Sequence, residues 1–289
     1  MQTLSNGKVT IEVAEHGAEL SSLKAHGKEY LWQADPAFWK RHSPVLFPLV
    51  GGVWENTYRV DGKEYHLSQH GFARDMDFSL LSQTDTEVMY ELCSTPETLE
   101  KYPYRFRLNI GYRLEDNRVH VLWKVTNTDD REIHFQIGAH PAFYFPTYSP
   151  DTEERGYFGF DRTDLQYIRL AEKGCADPSV HYPVPVNEEG LLPLNVHTFD
   201  IDTFIIEDSQ LKEVTLYGLD KKPVLSLQFT APLVGLWSPP AKNAPFVCIE
   251  PWYGRCDRAH YTGDYTEKDW VQHLPVGEVF QASYTITIA

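Results

Sequence analysis

Little in this sequence suits a disulfide framework, a zinc knuckle, a membrane span or a polyanion surface. Its four cysteines, Cys93, Cys175, Cys248 and Cys256, are scattered without a Cys-x-x-Cys pair. That fits neither a stapled secreted scaffold nor a cysteine-based zinc site, so reduced thiols are expected. No Lys/Arg-rich block occurs, and 26 basic against 41 acidic side chains give a formal charge of −15, which disfavours a general binder of nucleic acid. No apolar run approaches the roughly 20 residues that cross a bilayer, and Met1 to Val13 lacks the basic-then-apolar order of a signal peptide. The expectation is a soluble, cytoplasmic protein with neither a membrane nor a nucleic acid as partner. Helical signals are scarce as well. Thr95-Pro96-Glu97 and the stretch from Thr266 to Trp270 each suit a turn or two, too little to cross over a parallel sheet.

What the chain has is strand. Its 289 residues are 42% hydrophobic and 13% aromatic, enough to bury a sizeable core. From Tyr104 to Leu114 every second residue is apolar, and after the turn Glu115-Asp116-Asn117-Arg118 the alternation resumes at Val119, Val121, Trp123 and Val125. The two runs predict an antiparallel hairpin. Similar runs occur at Val9-Ile11-Val13, Ile133-Phe135-Ile137, Leu225-Leu227-Phe229 and Tyr284-Ile286-Ile288, and an Asp61-Gly62 turn separates Tyr58-Val60 from Tyr65-Leu67. The Pro- and Gly-rich stretches 141–159, 177–193 and 237–245 read as long loops, the usual carriers of a site on a β scaffold. With no internal repeat and no clear linker, one all-β domain over residues 1–289 is the economical reading.

Three ionisable residues fall where the chain breaks. His140 follows the run Ile133-Phe135-Ile137 on its other parity, with His134 and Gln136, and precedes Pro141, so its imidazole is expected where sheet pairing stops. Glu250 also precedes a proline, after Phe246-Val247-Cys248-Ile249, which is apolar on both parities and reads as a central strand covered on both faces. A carboxylate at the end of such a strand is costly unless hydrogen-bonded, and burial raises its pKa towards the range of a general base. His70 precedes Gly71, where the backbone can turn sharply. Each has a plainer reading. A lone His near a strand end is usually structural, Glu250 could be the buried partner of an Arg such as Arg255, and the neighbouring Phe143, Tyr144, Phe145, Trp252 and Tyr253 could be core.

Four motifs nevertheless occur in order: Arg41-x-Ser43-Pro44-Val45-Leu46-Phe47-Pro48, His70-Gly71-Phe72-Ala73-Arg74, Gly138-Ala139-His140-Pro141-Ala142-Phe143 and Ile249-Glu250-Pro251-Trp252. Together they resemble the aldose 1-epimerase (galactose mutarotase) family, in its LacX-like branch, over nearly the whole chain. The resemblance implies a large antiparallel β-sandwich, the galactose mutarotase-like supersandwich, with a shallow sugar cleft and no cofactor. It implies Glu250 as the general base at the anomeric hydroxyl and His140 as the general acid at the ring oxygen. His70 and Arg74 would hold hydroxyls or the ring oxygen, and Arg41 a hydroxyl or an anionic substituent. Asp202 is the choice for a sugar-binding Asp, with Asp200 on the same parity as the alternative. The implied substrate is an aldohexose or its phosphate, and the implied assembly a monomer or homodimer.

Other classes compete. A carbohydrate-binding or sensing module could keep the fold without turnover. His70, His140 and Glu250 could form a two-His-one-carboxylate metal site, but the closely spaced His-x-His pairing common in such sites is absent and the ligands lie far apart, so no metal is expected. A glycosidase would need Glu250 paired with an Asp at a defined separation.

Overall fold

The alternating runs around residues 104–125 form the strands Phe106–Glu115 and Arg118–Asn127, paired along their whole length in the computed structural model, which describes residues 1–289. This hairpin sits inside a nine-stranded sheet. Its order is Leu192–Asn195, Glu154–Phe160, Glu213–Tyr217, Pro223–Phe229, Val279–Ile288, Arg118–Asn127, Phe106–Glu115, Glu87–Cys93 and Ser79–Gln83. A second large sheet runs Ala176–Pro183, Gln166–Leu170, Phe204–Ile206, Leu233–Trp237, Phe246–Tyr253, Ile137–Ala139 and Val45–Leu46, and Ala142–Tyr144 pairs with Phe246–Tyr253 as well. A four-stranded sheet at the N-terminus and two two-stranded ribbons complete the chain. Every ladder between these strands is antiparallel, so the expected all-β, large antiparallel β-sandwich is what forms.

Period two sorts the side chains between the layers. From one face of the second sheet, Phe204, Ile206, Val234, Leu236, Val247 and Ile249 join Leu108, Ile110, Val121 and Trp123 of the first in one continuous core. The opposite face carries two smaller clusters, Ile205, Leu233 and Trp252 in one, Phe246 and Cys248 with Trp32 in the other. The strand Phe246–Tyr253 is therefore buried on both sides, as its apolar sequence predicts. Each of its large apolar side chains contributes roughly 1.5–3 kcal/mol by leaving water.

Four readings need correction. The run from Ile133 to Ile137 is not one strand: Ile133–Phe135 pairs with Gln272–Leu274, whereas Ile137–Ala139 joins the second sheet. Gln136 marks the break. Its buried side chain accepts from the Val50 N–H and donates to the carbonyls of Arg255 and Asp269, replacing ladder bonds by side-chain ones. Two of the three supposed loops contain strands, Ala142–Tyr144 and Glu154–Phe160 in the first and Ala176–Pro183 and Leu192–Asn195 in the second, because prolines are tolerated at strand edges and ends. Only 237–245 remains a loop between Leu233–Trp237 and Phe246–Tyr253. The second helical signal yields a single 3₁₀ turn, Tyr265–Glu267, capped by Asp264, whereas Thr95 does cap the helix Pro96–Lys101.

Candidate active site

The central strand Phe246–Tyr253 explains how two distant residues meet. On one side it pairs without interruption with Leu233–Trp237. On the other it is covered by two short strands in turn, Ala142–Tyr144 against its first half and Ile137–Ala139 against its last residues, and both ladders keep one register. Carried across the gap, that register sets His140 opposite Glu250. Pro141 and Pro251 fall in the same gap, where missing N–H groups cost no ladder bond. Glu250 thus lies within its strand rather than at the strand end expected of it, and pairing stops on one side only. The outcome is a distance of 3.4 Å between His140 Nε2 and Glu250 Oε2, on the face away from the main core. Gly235 stands opposite Glu250 on the uninterrupted side, and a Cβ there would come within 2.5 Å of the Trp252 ring.

Above this pair opens a cleft of about 600 Å³. Its lining includes all six residues singled out from the sequence: Arg41, His70, Arg74, His140, Asp202 and Glu250. His70 is held by its own backbone turn. Its φ is +68°, its N–H donates to Gly51 O (2.8 Å), and its Nδ1 accepts from Gly51 N–H (3.0 Å). A neutral His70 therefore carries its proton on Nε2 and can only donate from that atom. Gly71, at φ +69°, is packed so close that a Cβ would meet Phe47 O at 2.3 Å. Arg74 follows in the 3₁₀ turn Ala73–Asp75 and donates to Gln69 O (2.6 Å), while its buried Nε has no hydrogen-bond partner. Arg41 donates to Asp75 (2.8 Å), so two guanidinium groups share one half-exposed carboxylate. Asp202 takes φ +71° in the turn before Phe204–Ile206, not on a strand, and accepts from Thr203 Oγ1 (2.9 Å). Asp200 is engaged instead by His197 Nδ1 at 3.0 Å and is not part of the lining.

Burial sets the electrostatics. Glu250 is 1% exposed, and desolvation pushes its pKa well above the usual 4.5, with Asp202 adding in the same direction. The Trp252 indole eases the shift, but its Nε1 and Glu250 Oε2 both lack a partner in hydrogen-bond geometry. His140 is driven the other way, from 6.5 down to about 3, by burial first and then by Arg74, with Arg41 adding to it. His70 is lowered well below 6.5 by burial, Arg74, His140 and Arg41, and stays neutral. Each member of the Glu250–His140 pair is thus pushed towards its uncharged form, the carboxyl upwards and the imidazole downwards.

Sequence reasoning missed Trp39. Its ring stacks on the His140 imidazole with centroids 4.6 Å apart and planes at 29°, and Trp237 meets the same imidazole edge-on at 5.2 Å. The only signal was an aromatic pair, Phe38-Trp39, just before the first motif. His140, Cys248 and Glu250 form a ligand-type cluster at the cleft floor, and the His70 ring lies edge-on to His140 at 5.6 Å. Arg255 does not pair with Glu250. It is held by Glu207 (Nε to Oε2, 3.0 Å) and Asp269 beside a second, wider cleft of about 750 Å³. There Asp269 also takes Arg258, so both guanidinium groups of that cleft are paired with carboxylates.

Comparison with known proteins converges on one family. Residues 1–287 match the family model described as aldose 1-epimerase. Protein LacX of Lactococcus lactis subsp. lactis, in chromosomal and plasmid forms, is 29% identical over 295 residues, covering 99% of this chain and 98% of LacX. The galactose mutarotase related enzyme from Lactobacillus acidophilus superposes with a TM-score of 0.91 at 33% identity, over 100% of this chain and 97% of that one. A galactose mutarotase-like protein from Lactobacillus casei ATCC 334 gives 0.94 at 31% identity, over 100% of both chains.

Proposed function

The chain belongs to the aldose 1-epimerase family, and from that premise we propose that it is a mutarotase interconverting the α and β anomers of an aldohexose or its phosphate. The observation that carries this reading is the buried Glu250–His140 pair, 3.4 Å apart at the floor of a sugar-sized cleft, each pushed towards its uncharged form. Sugar hydroxyls bring hydrogen-bond donors to the carboxyl, which favour its ionised form and move the proton to His140. Glu250 then takes the proton of the anomeric hydroxyl while His140 gives one to the ring oxygen. The C1–O5 bond opens, the aldehyde turns about C1–C2, and reclosure with the two roles exchanged yields the other anomer. No electrons or co-reactants are gained or lost.

The remaining groups bind. His70 Nε2–H, the Arg74 guanidinium and the Asp202 carboxylate suit ring and hydroxyl oxygens, and the Trp39, Trp237 and Trp252 side chains offer apolar walls to C–H faces. Arg41 and Arg74, offset by a single carboxylate, suit an anionic substituent such as a phosphate. Polarimetry or exchange NMR on freshly dissolved α-glucose, α-galactose and their 6-phosphates tests the reading. Wild type should speed exchange, and Glu250→Gln or His140→Asn should each lose roughly 10²–10⁴-fold. Equal rates for wild type and both variants would refute it. Saturable sugar binding without acceleration would assign a non-catalytic sugar-binding role instead.

A further inference from the structure

We propose that Glu132, His134 and His273, on the ribbon formed by Ile133–Phe135 and Gln272–Leu274, bind one divalent transition metal of the zinc class. This site is separate from the sugar cleft and independent of its chemistry. His134 and His273 are direct cross-strand partners, and Glu132 precedes His134 by two positions, which brings its side chain to the same face. The two imidazoles meet with Nδ1 atoms 3.1 Å apart. Two nitrogens on a tetrahedral ion with bonds of ~2.0–2.1 Å stand about 3.3 Å apart, so little movement is needed to admit one. Glu132 Oε2 is 3.8 Å from His134 Nε2 and 3.9 Å from His273 Nδ1, and one ligand atom from each residue lies within 4.8 Å of the others, so the half-exposed carboxylate has to swing towards the Nδ1 pair to complete the set.

The scaffold holds this geometry unequally, as a metal site requires. His134 is buried, its ring packed edge-on against Tyr104 at 5.6 Å and its carbonyl fixed by the Tyr102 hydroxyl at 2.7 Å. His273 and Glu132 are about half exposed, so they can adjust around an ion and leave its outer side to water. The cation closest in sequence, Arg131, lies over the Tyr104 ring and is paired with Asp61 at 2.8 Å. Two imidazoles and a carboxylate suit zinc, nickel or copper(II) rather than magnesium or calcium.

Calorimetric titration of the untagged, metal-free chain with Zn²⁺, and visible absorption with Co²⁺, test the site. One ion per chain is expected, with a tetrahedral Co²⁺ spectrum and no thiolate charge-transfer band. His273→Ala and Glu132→Gln, both at exposed side chains, should each weaken binding by at least roughly tenfold, about 1.4 kcal/mol. Either variant suffices should the other fail to fold. Absence of stoichiometric binding, unchanged affinity in a folded variant, or affinity lost in Cys248→Ser but kept in His273→Ala would overturn the proposal, the last by moving the ion to the cleft.

Discussion

Replacing Glu250 by Gln should stabilise the fold above neutral pH while it removes activity, because the side chain is kept in a place that disfavours its charge. The unfolded chain titrates near the usual values, 4.5 for the carboxyl and 6.5 for the imidazole. Between those two pH values the unfolded pair holds one proton and so does the folded pair, and the site contributes no pH dependence. Above pH 6.5 the unfolded chain gives up its imidazole proton while the folded pair keeps its own. Stability then falls by about 1.4 kcal/mol per pH unit until the folded carboxyl ionises. Below pH 4.5 the unfolded chain takes a second proton that the folded imidazole refuses until about pH 3, and stability falls again.

The Gln variant lacks the alkaline limb. Below pH 6.5 it also gains stability as pH rises, because its unfolded imidazole sheds a proton the folded one does not hold. Its advantage over wild type should therefore widen by about 1.4 kcal/mol per pH unit, up to about 2.7 kcal/mol between pH 6 and pH 8, roughly 5 °C in Tm for a chain of this size. Urea unfolding of both proteins at pH 6, 7 and 8, followed by fluorescence of the seven tryptophans, reads this difference directly. Contributions of other titrating groups cancel between the two proteins. His140→Asn should change the acid limb instead, removing the loss of stability that wild type shows below pH 4.5. A Glu250→Gln advantage that stays constant from pH 6 to pH 8, or that shrinks, would refute the claim that burial raises this carboxyl.

Two further outcomes follow from the cleft. With a 6-phosphate as substrate, Arg74→Ala should cut kcat/KM roughly 10–100-fold more than with the free sugar, the loss of a charge-assisted contact of about 1.5–3 kcal/mol; an unchanged ratio of the two substrates removes Arg74 from that role. Trp39→Leu should lower kcat by roughly 2–30-fold, because its ring faces the imidazole that becomes cationic. Trp39→Phe should restore most of that, whereas a change confined to KM would make Trp39 a wall for the sugar alone.

The strand runs were legible because period-two alternation is local: the 104–125 hairpin and the Asp61-Gly62 turn formed, and the strand through 246–249 is covered on both faces as read, although it continues past Glu250 to Tyr253. What failed was partner choice. Nothing in Ile133 to Ile137 says that the chain changes sheets at Gln136, because the groups that satisfy its amide lie 86 to 133 residues away in sequence. His134 and His273 suffer the same limit. They are 139 residues apart, and only the ladder between their strands makes them neighbours. Strands within 141–159 and 177–193 were hidden by proline, which a strand accepts wherever its N–H faces no partner.

The same limit bears on the site and shows what local mark it did leave. The four motifs supplied five of the six residues singled out from the sequence that line the cleft, but distance along the chain concealed that His140 and Glu250 face each other. Each of them precedes a proline, and in an antiparallel pair two such steps can oppose one another only where the ladder is already open. Ile249 N–H still reaches Pro141 O at 3.4 Å and His140 N–H turns away to Pro44 O at 3.2 Å, so the strands stay together while neither proline supplies an N–H to the ladder. An open ladder step of this kind does two things at once. It places a cation former and an anion former 3.4 Å apart, and it sets both at the floor of the cleft. The cost is borne by Glu250, whose carboxyl lacks a full complement of partners until a ligand supplies them. Unpaired, half-neutral groups at the floor of a cleft are what a reversible proton exchange at two neighbouring oxygens requires, and they would serve a purely structural ion pair badly.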